Sequence, residues 1–169
     1  GATTVLMASE LDLPDNVLVM VATKGPWSQT DPVLLNKNNE LIRAWVKKTG
    51  QKTWLWNYAG KFGKLNMPGI PSPSPRSVGK YYSDLRNEIY GAYMESETDK
   101  LIYHYPSYYI FSKICWDNSA DVDAILKEHY RLMFGKAAPA MEKIFDRMEE
   151  LWIHGIGGRT VETALGPMG

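Results

Sequence analysis

The sequence predicts an α/β fold, namely the C-terminal part of a (β/α)₈ barrel followed by a pair of helices. Three apolar or aromatic runs begin near residues 17, 53 and 90, so they are separated by 36 and 37 residues. This spacing leaves room for a helix that returns the chain between parallel strands. A complete barrel needs about 250 residues. A chain of 169 residues therefore supplies only three or four of the eight units.

The first predicted unit is a buried strand followed by a helix. Residues 17–22 form a continuous apolar run, which is typical of a parallel strand that is buried on both faces. Apolar residues then recur at helical spacing from Leu41 to Val46. A basic last turn followed by Gly50 predicts the end of this helix.

The second and third units follow the same order. An aromatic run predicts a strand over residues 53–58, and a long loop over residues 59–75 follows it. A loop of that length in a compact domain is usually functional or mobile. Helical spacing then predicts a helix over residues 75–88, and a third strand is predicted over residues 89–95.

Only helices are predicted after residue 97. The first covers residues 107–116, the second begins after capping oxygens at residues 117–119 and ends at Gly135, and the third covers residues 137–153. The expected apolar face of the second helix consists of Val122, Ile125, Leu126, Tyr130 and Met133. The corresponding stripe of the third consists of Met141, Ile144, Phe145, Met148, Leu151 and Trp152.

These elements divide the chain into three predicted parts. Residues 1–117 form a partial barrel, residues 118–154 a helical extension and residues 155–169 a flexible tail. Trp116 is expected to be buried between the last barrel helix and the helical pair. Its replacement by Ala would then cost about 3–5 kcal/mol of stability.

Composition excludes several classes of function. The chain carries 19 basic and 19 acidic side chains and is 44% hydrophobic. A balanced charge provides no long-range field that attracts nucleic acid or an anionic membrane surface, so we expect neither as a partner. The longest apolar run is far shorter than the roughly 20 residues of a membrane span. Three scattered His and a single Cys show no metal-ligand spacing, and no motif for a cofactor is present.

A series of short motifs resembles one bacterial family. The motifs are WLWNY at residues 54–58, GAYME at 91–95, ICWD at 114–117, DVD at 121–123 and FGKAA at 134–138. This series is similar to the C-terminal half of the glycoside-hydrolase-like family called domain of unknown function 4838. The resemblance covers roughly residues 13–152. Similar Trp-Asp and Phe-Gly endings occur in α-glucuronidases, and the barrel is similar to that of β-hexosaminidases.

The resemblance implies a (β/α)₈ barrel that acts on complex carbohydrate, with oligo- or polysaccharide as the ligand. It also implies a secreted or periplasmic parent protein. The three strands correspond to the last three of the barrel, and the acid/base carboxylate of related hydrolases lies on earlier sequence. We therefore expect this chain alone to be inactive.

Two carboxylates at the end of the third strand are the candidates for chemistry. Glu95 and Glu97 are two residues apart, so an extended strand places them on one face at a spacing of about 6.6 Å. Glycoside hydrolysis uses two carboxyl groups at comparable separations. The alternative is that solvated acids simply end a strand. The resemblance implies that Glu95 is the family's late-strand Glu, which favours binding of sugar hydroxyls over proton transfer.

Aromatic residues near the strand ends are candidates for sugar binding. Trp56 and Tyr58 can stack on the apolar faces of sugars, and Asn57 can bond to a hydroxyl. Trp27 is a weaker candidate in the loop after the first strand. The alternative is core packing, which we expect for Trp54.

A different class of function is also open. The chain would then be a noncatalytic glycan- or protein-binding domain on a barrel-derived scaffold. Three parallel strands leave two unpaired edges, and such edges can pair with another chain. Self-association through exposed strand edges is the corresponding expectation.

Overall fold

Three parallel strands form the sheet of the computed structural model, which describes residues 12–59, 72–96, 101–156, 161–163 and 166–168. The strands are β1 (Met20–Ala22), β2 (Thr53–Ala59) and β3 (Ile89–Ser96). They lie side by side in the order β1-β2-β3, and both pairs are parallel. The predicted fold class is confirmed, because a parallel sheet with crossover helices is followed by further helices.

Five α-helices accompany the sheet in the described residues. They are α1 (Pro32–Thr49), α2 (Pro75–Asp84), α3 (Leu101–Trp116), α4 (Val122–Phe134) and α5 (Ala138–Glu150). Short 3₁₀ helices lie at Gly25–Thr30 and Gly135–Ala137, and a π-helical segment at Leu151–Ile156 follows α5. Two short strands, β4 (Val161–Thr163) and β5 (Gly166–Met168), pair in antiparallel fashion. None of the described helices is long and apolar enough to cross a bilayer.

Helix α1 ends where the sequence predicts. The side chain of Asp31 caps its first turn by accepting a hydrogen bond from the backbone N–H of Leu34 at 3.0 Å. Gly50 ends it in the left-handed conformation, with a φ of 66°. A residue without a Cβ adopts that conformation at little cost.

The helices cover one face of the sheet. Val21 and Leu55 point toward this face and are buried in the core. The core residues that the helices contribute are Ile42, Trp45, Val78, Tyr81, Tyr82, Ile110, Ile114, Leu126, Tyr130 and Phe145. Within the part of the chain that the structure describes, much of the opposite face of the sheet is exposed to solvent. On that face Tyr93 keeps 50% of its surface accessible and Trp56 keeps 37%.

The prediction that the first strand covers residues 17–22 and is buried on both faces is wrong. That strand begins at Met20, and only Val21 is buried, whereas Val17, Leu18 and Met20 are exposed. Strand β1 lies at the edge of the sheet, and the helices that the structure describes pack on one of its faces. An apolar run therefore does not mean burial on both faces here.

A β-bulge at Tyr90 sets the register between β2 and β3. Thr53 pairs with Ile89 but Trp54 pairs with Gly91, so Tyr90 has no partner on β2. From this point Trp56 pairs with Tyr93. Without the extra residue, Tyr93 would pair one position later and would face the helices.

Helix boundaries differ from the predictions at two places. Helix α2 ends at Asp84, four residues early, because the buried Leu85 begins a turn that leads into β3. Helix α3 begins at Leu101, six residues early, and contains Pro106. Proline lacks an N–H and so removes one helical hydrogen bond, yet the first turns of α3 persist around it.

The cap of α4 also differs from the prediction. Asp121 is the N-cap, and its carboxylate accepts hydrogen bonds from the N–H groups of Asp123 and Ala124 at 2.9 and 3.2 Å. Asp117 instead accepts from the N–H and the hydroxyl of Ser119 within a preceding turn. Residues 117–119 therefore shape the connection between α3 and α4 and do not cap α4.

The apolar stripes of α4 and α5 are narrower than predicted. Their contact centres on Tyr130 and Phe145, whose rings stack with centroids 5.5 Å apart. Met133, Ile144 and Leu151 are exposed, because they lie to the sides of this contact. Two helices that pack along one line bury only the residues next to that line.

Arg76 connects α2 to the helical extension. Its guanidinium bonds to Asp123 at 2.7 Å and to both Asp146 and Glu149 at 2.9 Å. Its backbone N–H also donates to Glu149 at 2.9 Å. Glu149 is buried, and burial raises the pKa of its carboxyl group while Arg76 opposes that rise. A single Arg thus holds three carboxylates from α4 and α5 against α2.

Replacement of Arg76 by Met is expected to lower the free energy of unfolding by about 2–3 kcal/mol. It leaves Glu149 buried without its counter-charge, and the loss is below that of a fully buried pair because Arg76 is partly exposed. Urea denaturation measures the effect. The control is Arg147→Met, which breaks an exposed pair with Glu150 and should cost less than about 1 kcal/mol. Equal effects of the two variants would contradict the account.

The same variant has an expected pH dependence. Without Arg76, burial raises the pKa of Glu149 further, so the folded state binds its proton at a higher pH than the unfolded state does. The folded state then gains stability as the pH falls. The deficit of Arg76→Met relative to the wild type should therefore narrow between pH 7 and pH 5. A deficit that widens over this range would show that Glu149 is not the group responsible.

Trp116 is not buried as the sequence analysis expects. It is the last residue of α3 and is 92% exposed, while Ile110 and Ile114 of the same helix lie in the core. We therefore expect Trp116→Ala to change the free energy of unfolding by less than about 1 kcal/mol. Ile114→Ala should cost about 2–5 kcal/mol. A large loss for Trp116→Ala in the same thermal or urea measurement would contradict this placement.

Candidate functional site

The exposed face of the sheet carries a ladder of aromatic residues. We call it the open face and define it by the residues that the register places there: Met20, Ala22, Trp54, Trp56, Tyr58, Gly91, Tyr93 and Glu95. Cross-strand pairs stack along β2 and β3 in three rows, Trp54 with Gly91, Trp56 with Tyr93 and Tyr58 with Glu95. The last row lies at the C-terminal ends of the strands, which is the end where barrels of this type bind their ligands.

The two upper rows are joined by side-chain contacts. The indole N–H of Trp56 donates a hydrogen bond to Oε2 of Glu95 at 2.9 Å. The rings of Trp56 and Tyr93 meet edge to face, with centroids 4.8 Å apart and planes at 61°. Together these contacts fix the orientation of the Trp56 indole and hold an acceptor beside it.

The lowest row depends on the absence of a side chain at Gly91. A Cβ at this position would lie 2.9 Å from Cζ3 of Trp54, which is closer than real Cβ atoms approach a carbon. The indole of Trp54 therefore occupies the space beside the bare backbone. Trp54 is only partly buried and belongs to the open face, which corrects the expectation that it packs in the core.

Three of the predicted site residues come together on the open face. They are Trp56, Tyr58 and Glu95, and they occupy the two rows nearest the C-terminal ends of the strands. Tyr93 lies among them but was not selected from the sequence. Its position two residues before Glu95 on one strand was a sufficient signal, because alternate residues of a strand share a face.

Asn57 does not join this group. It alternates with Trp56 and Tyr58, so it points to the helix-covered face, and its side chain is fully buried. The prediction that Asn57 contacts a sugar is therefore wrong, because a ligand on the open face cannot reach its buried side chain. The alternation of β2 was evident in the sequence, but which set of residues faces the helices was not.

Asn57 instead joins three elements under the C-terminal ends of β1 and β2. Its amide nitrogen donates to the carbonyl of Thr23 at 3.2 Å and to the hydroxyl of Thr23 at 3.0 Å. Its amide oxygen accepts from the hydroxyl of Tyr82 on α2 at 2.8 Å. Burial raises the pKa of Tyr82 well above its usual value, so this hydroxyl remains a donor at neutral pH.

Gly25 completes this buried contact. Its φ is 62°, and a Cβ there would lie 2.5 Å from Cγ of Asn57. Only glycine fits a position that combines a left-handed backbone with so close an approach. Asn57 thereby fixes the start of the connection between β1 and α1.

The two remaining candidates are located only in part. Trp27 belongs to the 3₁₀ helix Gly25–Thr30 that Asn57 anchors, and its side chain is outside the described part of the structure. Glu97 lies outside the described residues. The 6.6 Å pairing expected for Glu95 and Glu97 therefore stays a prediction.

Two of the three described histidines, His104 and His129, have structural contacts. His104 is buried, 3.3 Å from the hydroxyl of Ser72, and His129 packs between the rings of Tyr105 and Tyr109. Across the described residues, no group of three or more His, Cys, Asp or Glu side chains is arranged to hold a metal ion.

Replacement of Asn57 by Leu is expected to destabilise the protein by about 2–4 kcal/mol. The change leaves the hydroxyls of Tyr82 and Thr23 buried without Asn57 as their partner, and each such loss costs about 1–3 kcal/mol. Urea denaturation measures it. Asn36→Leu, at an exposed position of α1, is the matched control and should change stability by less than about 0.5 kcal/mol. A loss for Asn57→Leu no larger than the control's would show that this network is not stabilising.

Comparison with known protein families identifies one match. The model of the family described as domain of unknown function (DUF4838) matches residues 6–146. The matched range includes the whole three-stranded sheet and helices α1 to α4. A search of curated proteins and a search of solved structures each gave no match.

Proposed function

The chain belongs to the DUF4838 family, and we propose that it forms the C-terminal portion of a carbohydrate-active, glycoside-hydrolase-like protein. In this proposal the open face is part of the inner wall of a (β/α)₈ barrel, and it supplies residues that bind a sugar. The observation that carries the proposal is the pairing of Trp56 with both Tyr93 and Glu95 at the C-terminal end of parallel strands.

The chemistry of the open face suits a sugar. A pyranose presents apolar C–H faces and a rim of hydroxyl groups, so it is bound by aromatic rings combined with a few polar anchors. Trp56 and Tyr93 offer exposed ring surface, and Glu95 offers carboxylate oxygens beside it. Their rigid attachment to neighbouring strands keeps this arrangement in place before a ligand arrives.

Glu95 fits a role in sugar binding better than one in proton transfer. Oε2 of its carboxylate accepts the indole N–H of Trp56, so the structure shows this group as a hydrogen-bond acceptor. Sugar hydroxyls are donors that a carboxylate accepts. The acid/base carboxylates would then lie on other strands of the proposed barrel, and the parent protein would be secreted or periplasmic.

A second function is favoured by the edges of the sheet. Within the described residues, the outer edges of β1 and β3 pair with no strand. Such edges are available for pairing with another chain. The alternative proposal is a noncatalytic glycan- or protein-binding domain that uses this scaffold and self-associates through its strand edges.

The proposed function is tested with a matched pair of Trp variants in the full-length protein. Trp56→Ala should raise the KM for hydrolysed aryl glycosides, or the Kd for bound oligosaccharides, by about tenfold or more. The reason is that the indole of Trp56 no longer stacks on the apolar face of the sugar. Trp116→Ala removes an equally large exposed side chain at the end of α3, outside the set of residues that defines the open face, and should change neither value more than twofold. The panel contains aryl glycosides of neutral hexoses, N-acetylhexosamines and uronic acids.

The outcomes separate the two functions. Turnover that depends on Trp56 supports the hydrolase proposal, and binding without turnover that depends on Trp56 supports the noncatalytic alternative. Equal values for the wild type and Trp56→Ala, or no interaction with any glycan of the panel, would rule out a sugar site on the open face.

A further inference from the structure

We infer that Tyr82 is a positioning residue of the sugar site on the open face, and that it acts through Asn57 on the backbone of Trp56. This role rests on the proposed function and adds to it a residue that a ligand on the open face cannot reach. Its grounds are the hydrogen bonds of the buried network, the orientation that they impose on Asn57 and the packing of α2.

The backbone of Trp56 belongs to the buried network on the helix-covered face. The N–H of Thr23 donates to the carbonyl oxygen of Trp56 at 3.0 Å. The side chain of Asn57 donates in return to the carbonyl and hydroxyl oxygens of Thr23. Thr23 is therefore bonded to two consecutive residues of β2, whose side chains point to opposite faces. A displacement of Asn57 on the buried face is then transmitted to the stretch of β2 that presents Trp56.

Tyr82 selects the orientation of the Asn57 amide. An Asn side chain carries an acceptor on one side and a donor group on the other, so half a turn exchanges the two. The hydroxyl of Tyr82 donates to Oδ1 of Asn57 at 2.8 Å, and this bond directs the amide nitrogen toward Thr23. All three side chains are buried, so bulk water does not replace a bond that is lost.

Close packing of α2 keeps Tyr82 in place. A Cβ at Gly79 would overlap Cγ2 of Val122 on α4, so the two helices are in direct contact one turn before Tyr82. The ring of Tyr82 also packs against Phe111 of α3, with centroids 5.2 Å apart. Removal of the hydroxyl alone should therefore release Asn57 without disturbing the packing of the ring.

The test removes this hydroxyl in the full-length protein by Tyr82→Phe. The first quantity is the hydrogen-exchange rate of the Trp56 indole N–H, which bonds to Glu95; it is measured by NMR, and Trp56→Phe assigns the resonance. The second is the Kd for the 4-nitrophenyl glycosides of glucose, N-acetylglucosamine and glucuronic acid, measured where urea curves show each variant to be folded. We expect the exchange rate, and the Kd for each glycoside that binds the wild type, to rise by about threefold or more, as loss of one buried hydrogen bond produces.

Tyr130→Phe is the matched control. Tyr130 is as buried as Tyr82, with 1% of its surface exposed, and its hydroxyl has no hydrogen-bond partner among the described residues. Its replacement should leave both quantities within about twofold of the wild type. A merely structural role of Tyr82 would lower the free energy of unfolding of Tyr82→Phe without changing either quantity.

Thr23→Val tests the same network from its other end and serves if Tyr82→Phe does not fold. It removes the hydroxyl that accepts from Asn57 at 3.0 Å and keeps the shape of the side chain. We expect both quantities to rise as in Tyr82→Phe. The double variant should rise by less than the product of the two single effects, because bonds within one network are coupled.

Each result separates the positioning role from the sugar site that it serves. An unchanged Kd or an unchanged exchange rate in Tyr82→Phe, or independent effects in the double variant, would overturn the positioning role and leave the proposed sugar site in place. Failure of all three glycosides to bind the wild type would instead overturn the proposed function, and the positioning role with it.

Discussion

A parallel sheet whose described helices all pack on one face is the constraint on which the rest of this structure depends. Connections between sequential neighbouring parallel strands are right-handed, so the helices of the order β1-β2-β3 collect on the same side. Parallel sheets are normally covered on both faces. The aromatic residues of the open face are therefore left for a further layer, which can be the rest of a barrel wall, a ligand or both. Their identity as Trp and Tyr, and not as aliphatic residues, is the reason that we propose a carbohydrate ligand for this face.

Two local features convert that constraint into a defined surface. The bulge at Tyr90 shifts β3 by one residue, so Tyr93 and Glu95 share a face with Trp56. On the opposite face Asn57 bonds to Thr23 and Tyr82 and so holds β1, β2 and α2 together at the same end of the sheet. One feature decides which side chains are presented, and the other keeps the strand ends that present them in position.

Much of the fold was predictable from the sequence because its signals are local and repeated. The alternation of strands with crossover helices and the Gly50 helix end depend on neighbouring residues only, and both were predicted correctly. The bulge at Tyr90 has no local signature, and the burial of Asn57 depends on which side α2 crosses the sheet. Trp116 illustrates the same limit, since hydrophobicity predicts burial but only the packing direction of α3 determines it. The candidate site was therefore predicted as a strand end, while its division into an open face and a buried network required the tertiary structure.

The most direct test of this account is a crystal structure of the full-length protein. We expect strands of the same protein to pair in parallel with the outer edges of β1 and β3. Trp56 and Glu95 should then face the mouth of a closed barrel. Outer edges that stay unpaired, or helices packed over Trp56 and Tyr93, would contradict the claim that the open face is the inner wall of a sugar-binding barrel.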